Sequence, residues 1–171
     1  NLKSGDAFET EKRSFCDVMI DDTNIIRIHD NSRVIFDIAH NINSIRLDRG
    51  LITVLTREKN VADVRYRIST STGAATISGK SFCVKAENAN STYICVCNGT
   101  AVFDKTAENP PENITAAHHT ALRFTRAQNG SINAETVPDL LYHNDYSIGL
   151  LARIIKEKTA EQSDYLIIKY N

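Results

Sequence analysis

This chain has few cysteines, a net charge close to zero and no long apolar segment, and each of these facts argues against a class of protein. Four cysteines in 171 residues are too few for a disulfide scaffold. A formal net charge of −1 gives no electrostatic reason to expect binding to nucleic acid or to an anionic membrane surface. No stretch approaches the about 20 apolar residues of a transmembrane helix. We expect one folded domain over residues 1–171.

The chain also lacks an initiator methionine, because it begins at Asn1. We expect a processed or truncated product, which can have lost a signal peptide or membrane anchor upstream. In this interpretation, any attachment to a membrane runs through that removed N-terminal segment.

Short apolar patterns of period two fill the chain from Ser14 to Phe103. Turn residues separate the segments at intervals of about 8–12 residues, which is typical of a sandwich or barrel. The fold class predicted is mainly β, a jelly-roll-like sandwich or roll of about ten strands. The alternating segments are Ile26-x-Ile28, Val34-x-Phe36-x-Ile38, Ile45-x-Leu47, Val64-x-Tyr66-x-Ile68 and Phe82-x-Val84.

Two hairpins are predicted in the middle of the chain. Asn98-Gly99 lies between two apolar segments, and this dipeptide favours a tight turn. A second candidate hairpin joins Ser81–Ala86 to Thr92–Cys97. After an excursion from 105 to 113, residues 114–125 predict a further strand.

One amphipathic helix is predicted from Asp145 to Lys158. Asn144 or Asp145 caps its start, and an apolar face follows at helical spacing, formed by Ile148, Leu151, Ile154 and Ile155. The tail from Tyr165 to Ile168 predicts either a final strand or a mobile segment.

Thiol and imidazole side chains are concentrated in one part of the sequence. Cys95 and Cys97 are two apart, so on a strand they face the same side, and their spacing would strain a disulfide between them. His118 and His119 follow, and both can reach the cysteines only if the backbone turns or bulges there. The plain alternative is two buried cysteines that pack as small apolar residues and two structural histidines.

Two further residues belong to this hypothesis. His143 is a candidate ligand or a hydrogen-bond partner of one, although a polar turn before the helix also explains it. Cys83 can face Cys95 or Cys97 across the hairpin, as a disulfide partner or as a third thiolate. Cys16 lies far away in the chain, and we predict that it packs.

Thiolate and imidazole together favour a transition metal. We predict a metal site formed by Cys95, Cys97, His118, His119 and His143, with zinc or copper favoured over an iron–sulfur cluster. Ca²⁺ and Mg²⁺ are disfavoured because they prefer clustered oxygen ligands.

No catalytic residues are predicted. The sequence has no P-loop, nucleophile elbow, zinc-protease helix motif or dinucleotide-binding glycine pattern. Cys95 and Cys97 lie within a predicted strand, whereas an activated thiolate usually needs a helix N-terminus or a fixed imidazolium. A thiol enzyme is therefore the weaker alternative.

The segment from Ile26 to Phe103 resembles the FecR domain of bacterial cell-surface signalling proteins. The similar stretches are IRIHDNSRVIFD, INSIRLDRGLITVL, STSTGAATISGKSFCV and YICVCNGTAVF. The turn that usually reads Gly-Thr has Lys80 after Gly79 here. The resemblance implies a periplasmic or otherwise extracytoplasmic β domain, and it does not imply that the protein is an enzyme.

A subgroup of FecR-like proteins is similar in its cysteines and histidines as well. Its C-x-C-x-G strand matches Cys95, Cys97 and Gly99, its histidine pair matches His118-His119, and its helix start matches His143-Asn144-Asp145.

We therefore predict a binding or sensing module whose partners are a metal ion and an envelope signalling protein. The alternative is a ligand-free domain that presents a protein interaction surface in a signalling or envelope assembly.

Overall fold

A computed structural model describes residues 3–39, 42–57, 65–105 and 110–160. They form eleven strands and one helix, which confirms the mainly β prediction. The strands are β1 (Ala7–Glu9), β2 (Cys16–Met19), β3 (Asn24–Ile28), β4 (Arg33–Ala39), β5 (Ile42–Thr56), β6 (Arg65–Ser69), β7 (Ala74–Asn88), β8 (Ser91–Asp104), β9 (Glu112–Ala116), β10 (Thr120–Arg126) and β11 (Ile132–Val137). The helix α1 spans Asp145–Ala160, slightly longer than predicted.

The strands form one mixed sheet that folds into two layers, and the long strands β5, β7 and β8 belong to both layers. The first layer has the order β1-β4-β5-β6-β7-β8-β9 and uses the first halves of β5 and β7 and the second half of β8. The second layer has the order β2-β3-β5-β7-β8-β10-β11 and uses the other halves. All pairs are antiparallel except β5 with β6. This layering is the predicted sandwich or roll.

Glycines stand where the long strands pass from one layer to the other. Gly50 has a φ of 96° and Gly99 a φ of 140°, a range that side chains disfavour. A Cβ at Gly99 would also collide with the carbonyl oxygen of Ser78, and one at Gly50 with the side chain of Ser32. These bends in β5 and β8 therefore require glycine at both positions.

The main core lies between the two layers. Tyr66 of the first layer meets Phe82 of the second edge to face, with ring centroids 5.4 Å apart. Phe103 of the first layer stacks on Phe124 of the second at 3.8 Å. These rings are fully buried with the surrounding aliphatic side chains. Alternate residues of each strand face this core, which accounts for the apolar pattern of period two in the sequence.

The outer side of the second layer is covered by α1 and the segment before it. Leu151 and Ile155 of α1 are buried against Met19, Ile25 and Leu55. This packing explains the apolar face predicted for the helix. Within the described ranges, no helix combines the length and the apolar character needed to cross a membrane.

Two local predictions were wrong. Asn98-Gly99 forms no hairpin, because β8 continues through it and pairs with β7 on one side and β9 on the other. The strand predicted over 114–125 is broken into β9 and β10 by a turn at residues 117–119. The hairpin between Ser81–Ala86 and Thr92–Cys97 is confirmed. Val64 and the tail from Tyr165 to Ile168 lie outside the described residues.

Candidate metal centre

Cys95 and Cys97 lie on the outer face of β8 in the second layer. Ile94 and Val96, which alternate with them, point into the main core. The two cysteines belong instead to a smaller apolar cluster beneath the segment that precedes α1. Both are buried, with 0% and 6% of their surface exposed. The period-two prediction that they share one face agrees with this placement.

The strands on either side of β8 set the surroundings of Cys95. On β7, Cys83 lies directly opposite Cys95 and is also fully buried. On β10, Cys95 is opposite Ala121, a buried member of the same apolar cluster. All four cysteines of the chain are free thiols here, so Cys83 does not form the disulfide considered above.

His119 reaches the cysteines through the turn between β9 and β10. Its φ is 48°, an uncommon conformation for a side-chain-bearing residue, and its backbone N–H donates to the carbonyl oxygen of Cys97 at 3.0 Å. As a result, His119 Nδ1 lies 3.8 Å from the Sγ of Cys95. The turn that the sequence hypothesis required is therefore present.

His143 enters from the other side, just before α1. Its side chain is buried, with 8% of its surface exposed. Nε2 lies 3.1 Å from the Sγ of Cys97, and Nδ1 lies 3.1 Å from the Sγ of Cys83. The two ring nitrogens of His143 thus contact two different thiols.

The residues around His143 hold it in place. Asn144 caps α1 reciprocally with Ser147, since Ser147 N–H donates to Asn144 Oδ1 at 2.9 Å and Asn144 N–H donates to Ser147 Oγ at 3.1 Å. Tyr142 packs edge to face on Tyr93 with centroids 5.0 Å apart. These contacts fix the chain immediately before and after His143.

A half-buried carboxylate near the end of β7, that of Glu87, anchors the same segment. Glu87 accepts hydrogen bonds from Tyr142 Oη at 2.6 Å, from Ser91 Oγ at 2.6 Å and from the Arg123 guanidinium at 2.8 and 3.0 Å. Burial alone would raise the pKa of Glu87, but the bonds from Arg123, Ser91 and Tyr142 outweigh it and lower the pKa to about 2. Glu87 therefore stays ionised and ties Tyr142 to the sheet.

The three clustered thiols hold protons unequally. Hydrogen bonds from Cys83 and Cys97 lower the pKa of Cys95. The hydrogen bond to Cys95, together with burial, raises the pKa of Cys97, and burial raises the pKa of Cys83. The cluster therefore favours a thiolate at Cys95, which is the protonation state that a metal requires.

Asp145, the first residue of α1, contacts the histidine pair. Its Oδ1 lies 2.8 Å from His119 Nε2, and its Oδ2 lies 3.5 Å from His118 Nε2. Burial lowers the pKa of His119, but the hydrogen bond to Asp145 and the contact with Cys95 outweigh it, so the pKa of His119 is raised. The same hydrogen bond lowers the pKa of Asp145.

Four of the five predicted ligands come together. One ligand atom from each of Cys95, Cys97, His119 and His143 lies within 4.8 Å of all the others. Tetrahedral zinc bonds of about 2.0–2.3 Å place ligand atoms about 3.3–3.8 Å apart. The group therefore needs only small adjustments of these side chains to form a tetrahedral site. His118 stands outside this group and exposes 75% of its side chain.

Two residues that contact the site or its supporting segment, Asp145 and Glu87, are not predicted to do so. The sequence pattern indicates Asp145 only at the start of the helix, and it leaves Cys83 open as a disulfide partner or a third thiolate. The H-N-D motif is a signal that points to Asp145. The role of Glu87 depends on a partner 55 residues away, Tyr142, and no local pattern indicates it.

Comparison with known proteins identifies the family. A family model described as FecR protein matches residues 6–103. No curated protein matches the chain.

Two crystal structures of candidate anti-sigma factors from Parabacteroides distasonis ATCC 8503 have a similar fold. The first, at 2.50 Å resolution, has a TM-score of 0.58 and 14% identity, and the match covers 77% of this chain and 59% of that one. The second, at 1.65 Å, has a TM-score of 0.58 and 11% identity and covers 96% of both chains. This chain thus spans about three fifths of the first structure. At these identities the likeness establishes a shared fold, and the match over 6–103 establishes that the chain belongs to the FecR family.

Proposed function

We propose that this chain is an extracytoplasmic sensing module that binds one transition-metal ion through Cys95, Cys97, His119 and His143. The observation that carries the proposal is the convergence of their four ligand atoms within 4.8 Å on the covered face of the second layer. Three of these residues are buried and the fourth is half-buried, so a bound ion would be largely shielded from water.

The donor set favours particular metals. Two sulfurs and two imidazole nitrogens suit Zn²⁺ or a copper ion, and an iron–sulfur cluster is less favoured. The group contains no oxygen donor, which disfavours Ca²⁺ and Mg²⁺. Two thiolates would neutralise a divalent ion, so a neutral Cys₂His₂ site could be buried without a net charge.

The family supports the signalling part of the proposal. FecR-type domains belong to signalling proteins of the bacterial envelope, and the two similar structures are named as candidate anti-sigma factors. We propose that this domain lies outside the cytoplasm and contacts an envelope signalling protein. Nucleic acid is not among its proposed partners.

Metal content measured on untagged protein tests the proposal. The protein is purified under reducing conditions at neutral pH, and bound metals are quantified by mass spectrometry. We expect about one equivalent of a transition metal to resist dialysis. Co²⁺ substitution should produce intense thiolate charge-transfer bands. Cys97→Ser and His143→Gln should lose both signals.

A matched control separates ligand loss from general damage. Cys16 lies on β2, away from the site, and is half-buried. Cys16→Ser should keep the metal and the Co²⁺ spectrum unchanged. If the wild type holds no stoichiometric metal and the Co²⁺ spectrum lacks thiolate bands, the metal site is refuted. The ligand-free interaction domain then becomes the better account.

A further inference from the structure

The ring of His119 contacts two different groups of side chains through its two nitrogens. Nδ1 faces Cys95 at 3.8 Å, and Nε2 faces Asp145 Oδ1 at 2.8 Å. In the proposed metal site, His119 Nδ1 is the nitrogen directed at the other ligands. Its Nε2 then remains available on the opposite edge of the ring.

A second group with metal-ligand chemistry lies at that edge. Ligand atoms of His118, His119 and Asp145 lie within 4.8 Å of one another. Each oxygen of the Asp145 carboxylate faces a different imidazole, because Oδ2 is 3.5 Å from His118 Nε2. Two imidazoles and a carboxylate form the donor set of many zinc sites that keep an open position.

The local backbone brings the two adjacent histidines to the same side. Neighbours in a regular strand point in opposite directions. Here residues 117–119 interrupt the strand, His119 has a left-handed conformation, and the rings of His118 and His119 meet with centroids 4.4 Å apart. This conformation is uncommon, and it is what allows both rings to contact Asp145.

From this geometry we infer that His118, His119 and Asp145 bind a second divalent transition-metal ion, and that His119 bridges the two ions. The inference rests on the proposed function for the orientation of His119. When both ions bind, the ring N–H of His119 releases its proton to water, and the imidazolate uses Nδ1 for the buried ion and Nε2 for the outer one. Water completes the shell of the outer ion.

The two sites should differ in affinity. The side chains of His118 and Asp145 are 75% and 73% exposed, so the outer site has little shielding from water. It also lies at the N-terminus of α1, where the helix dipole disfavours a cation. The outer ion should therefore bind more weakly and exchange faster than the buried one.

Titration of the full chain with Zn²⁺ and Co²⁺ tests the inference. The wild type should bind two equivalents with distinct affinities, and His118→Asn should bind only the tight one. The matched control is His29→Asn, because His29 contacts Thr53 instead of either group; it should still bind two. A single equivalent in the wild type, or a second equivalent that survives in His118→Asn, overturns the second site.

Spectroscopy tests the bridge itself. With Zn²⁺ in the buried site, and its retention verified by metal analysis because Cu²⁺ can displace it, added Cu²⁺ should give an electron paramagnetic resonance spectrum with nitrogen splitting that is lost in His118→Asn. Co²⁺ in the buried site should broaden or abolish that Cu²⁺ signal through the imidazolate. An unchanged Cu²⁺ spectrum refutes the bridge. In Cys97→Ser, loss of the tight equivalent tests the proposed function separately, since only that equivalent requires the thiols.

Discussion

The Nδ1 of His143 lies 3.1 Å from the Sγ of Cys83, on the ring edge opposite the contact with Cys97. A metal-bound histidine commonly has its remote nitrogen held by a hydrogen-bonding partner, which fixes the ring orientation. Cys83 is fully buried and stands outside the group of four converging ligand atoms. We therefore interpret Cys83 as the residue that orients His143.

Removing the Cys83 thiol should weaken metal binding without abolishing it. In Cys83→Ala, His143 loses the acceptor for its Nδ1–H, and affinity should fall about 10–100-fold. The number of bound ions and the intensity of the Co²⁺ thiolate bands should stay unchanged. Competition with a chelator of known affinity measures the fall, and Cys16→Ala is the matched control. A fall in the thiolate bands would instead identify Cys83 as a ligand.

Glu87 should make the stability of the protein depend on pH at acidic values. Its folded-state pKa of about 2 lies below its ordinary 4.5. Ionised Glu87 therefore contributes stability above pH 4.5, and this contribution is lost as the pH falls toward 2. At neutral pH, Glu87→Gln should cost about 1.5–3 kcal/mol, because bonds to a charged group are lost.

Urea unfolding between pH 7 and pH 2 measures this effect. The free energy of unfolding of the wild type should exceed that of Glu87→Gln at pH 7, and this difference should disappear as the pH falls toward 2. Glu9→Gln is the matched control: Glu9 forms exposed ion pairs with Arg33 and Arg49, which contribute little. A constant difference between wild type and Glu87→Gln across this range would contradict the account.

Gly99 should tolerate no side chain. Alanine there would need a φ of 140° and would collide with the carbonyl oxygen of Ser78. We expect Gly99→Ala to destabilise the fold by more than about 1 kcal/mol in thermal or urea unfolding. Gly149 lies in α1 with open space around it, so Gly149→Ala should be neutral or stabilising by up to about 1 kcal/mol. If Gly99→Ala and Gly149→Ala changed the stability equally, the bend of β8 at Gly99 would not be supported.

Metal binding should also protect the start of α1. His143 lies two residues before Asp145, so a bond from His143 to an ion would hold the first turn of the helix against β8. Amide hydrogen exchange in the first turns of α1 should slow when Zn²⁺ is added, while exchange in β4 should not change. The effect should vanish in Cys97→Ser. If Zn²⁺ does not change the amide exchange rates of α1 in the wild type, the helix is held by its apolar contacts alone.

The sequence determines some features of the site locally. Period-two alternation is a property of any strand, so the common face of Cys95 and Cys97 could be predicted without a partner strand. The capping residues at 144 and 145 likewise indicate where α1 begins. Both predictions depend on neighbours within a few residues.

Other features depend on long-range pairing. Asn98-Gly99 favours a tight turn by itself, but pairing with β7 and β9 holds β8 extended through it. The register of Cys83 against Cys95 follows irregularities in β7 near Gly79, which the sequence pattern does not reveal. The approach of His143 depends on the bond between Tyr142 and Glu87, which are 55 residues apart. It also depends on the packing of α1 against β2, β3 and β5, which lie far from His143 in the chain.

Anomalous X-ray diffraction from crystals of Zn²⁺-loaded protein tests the central claim most directly. Data collected above and below the zinc edge locate the ion without assumptions about its ligands. The account predicts a peak about 2.3 Å from the sulfurs of Cys95 and Cys97 and about 2.0–2.1 Å from a ring nitrogen of His119 and of His143. No peak at these four residues, with zinc elsewhere or absent, would contradict it.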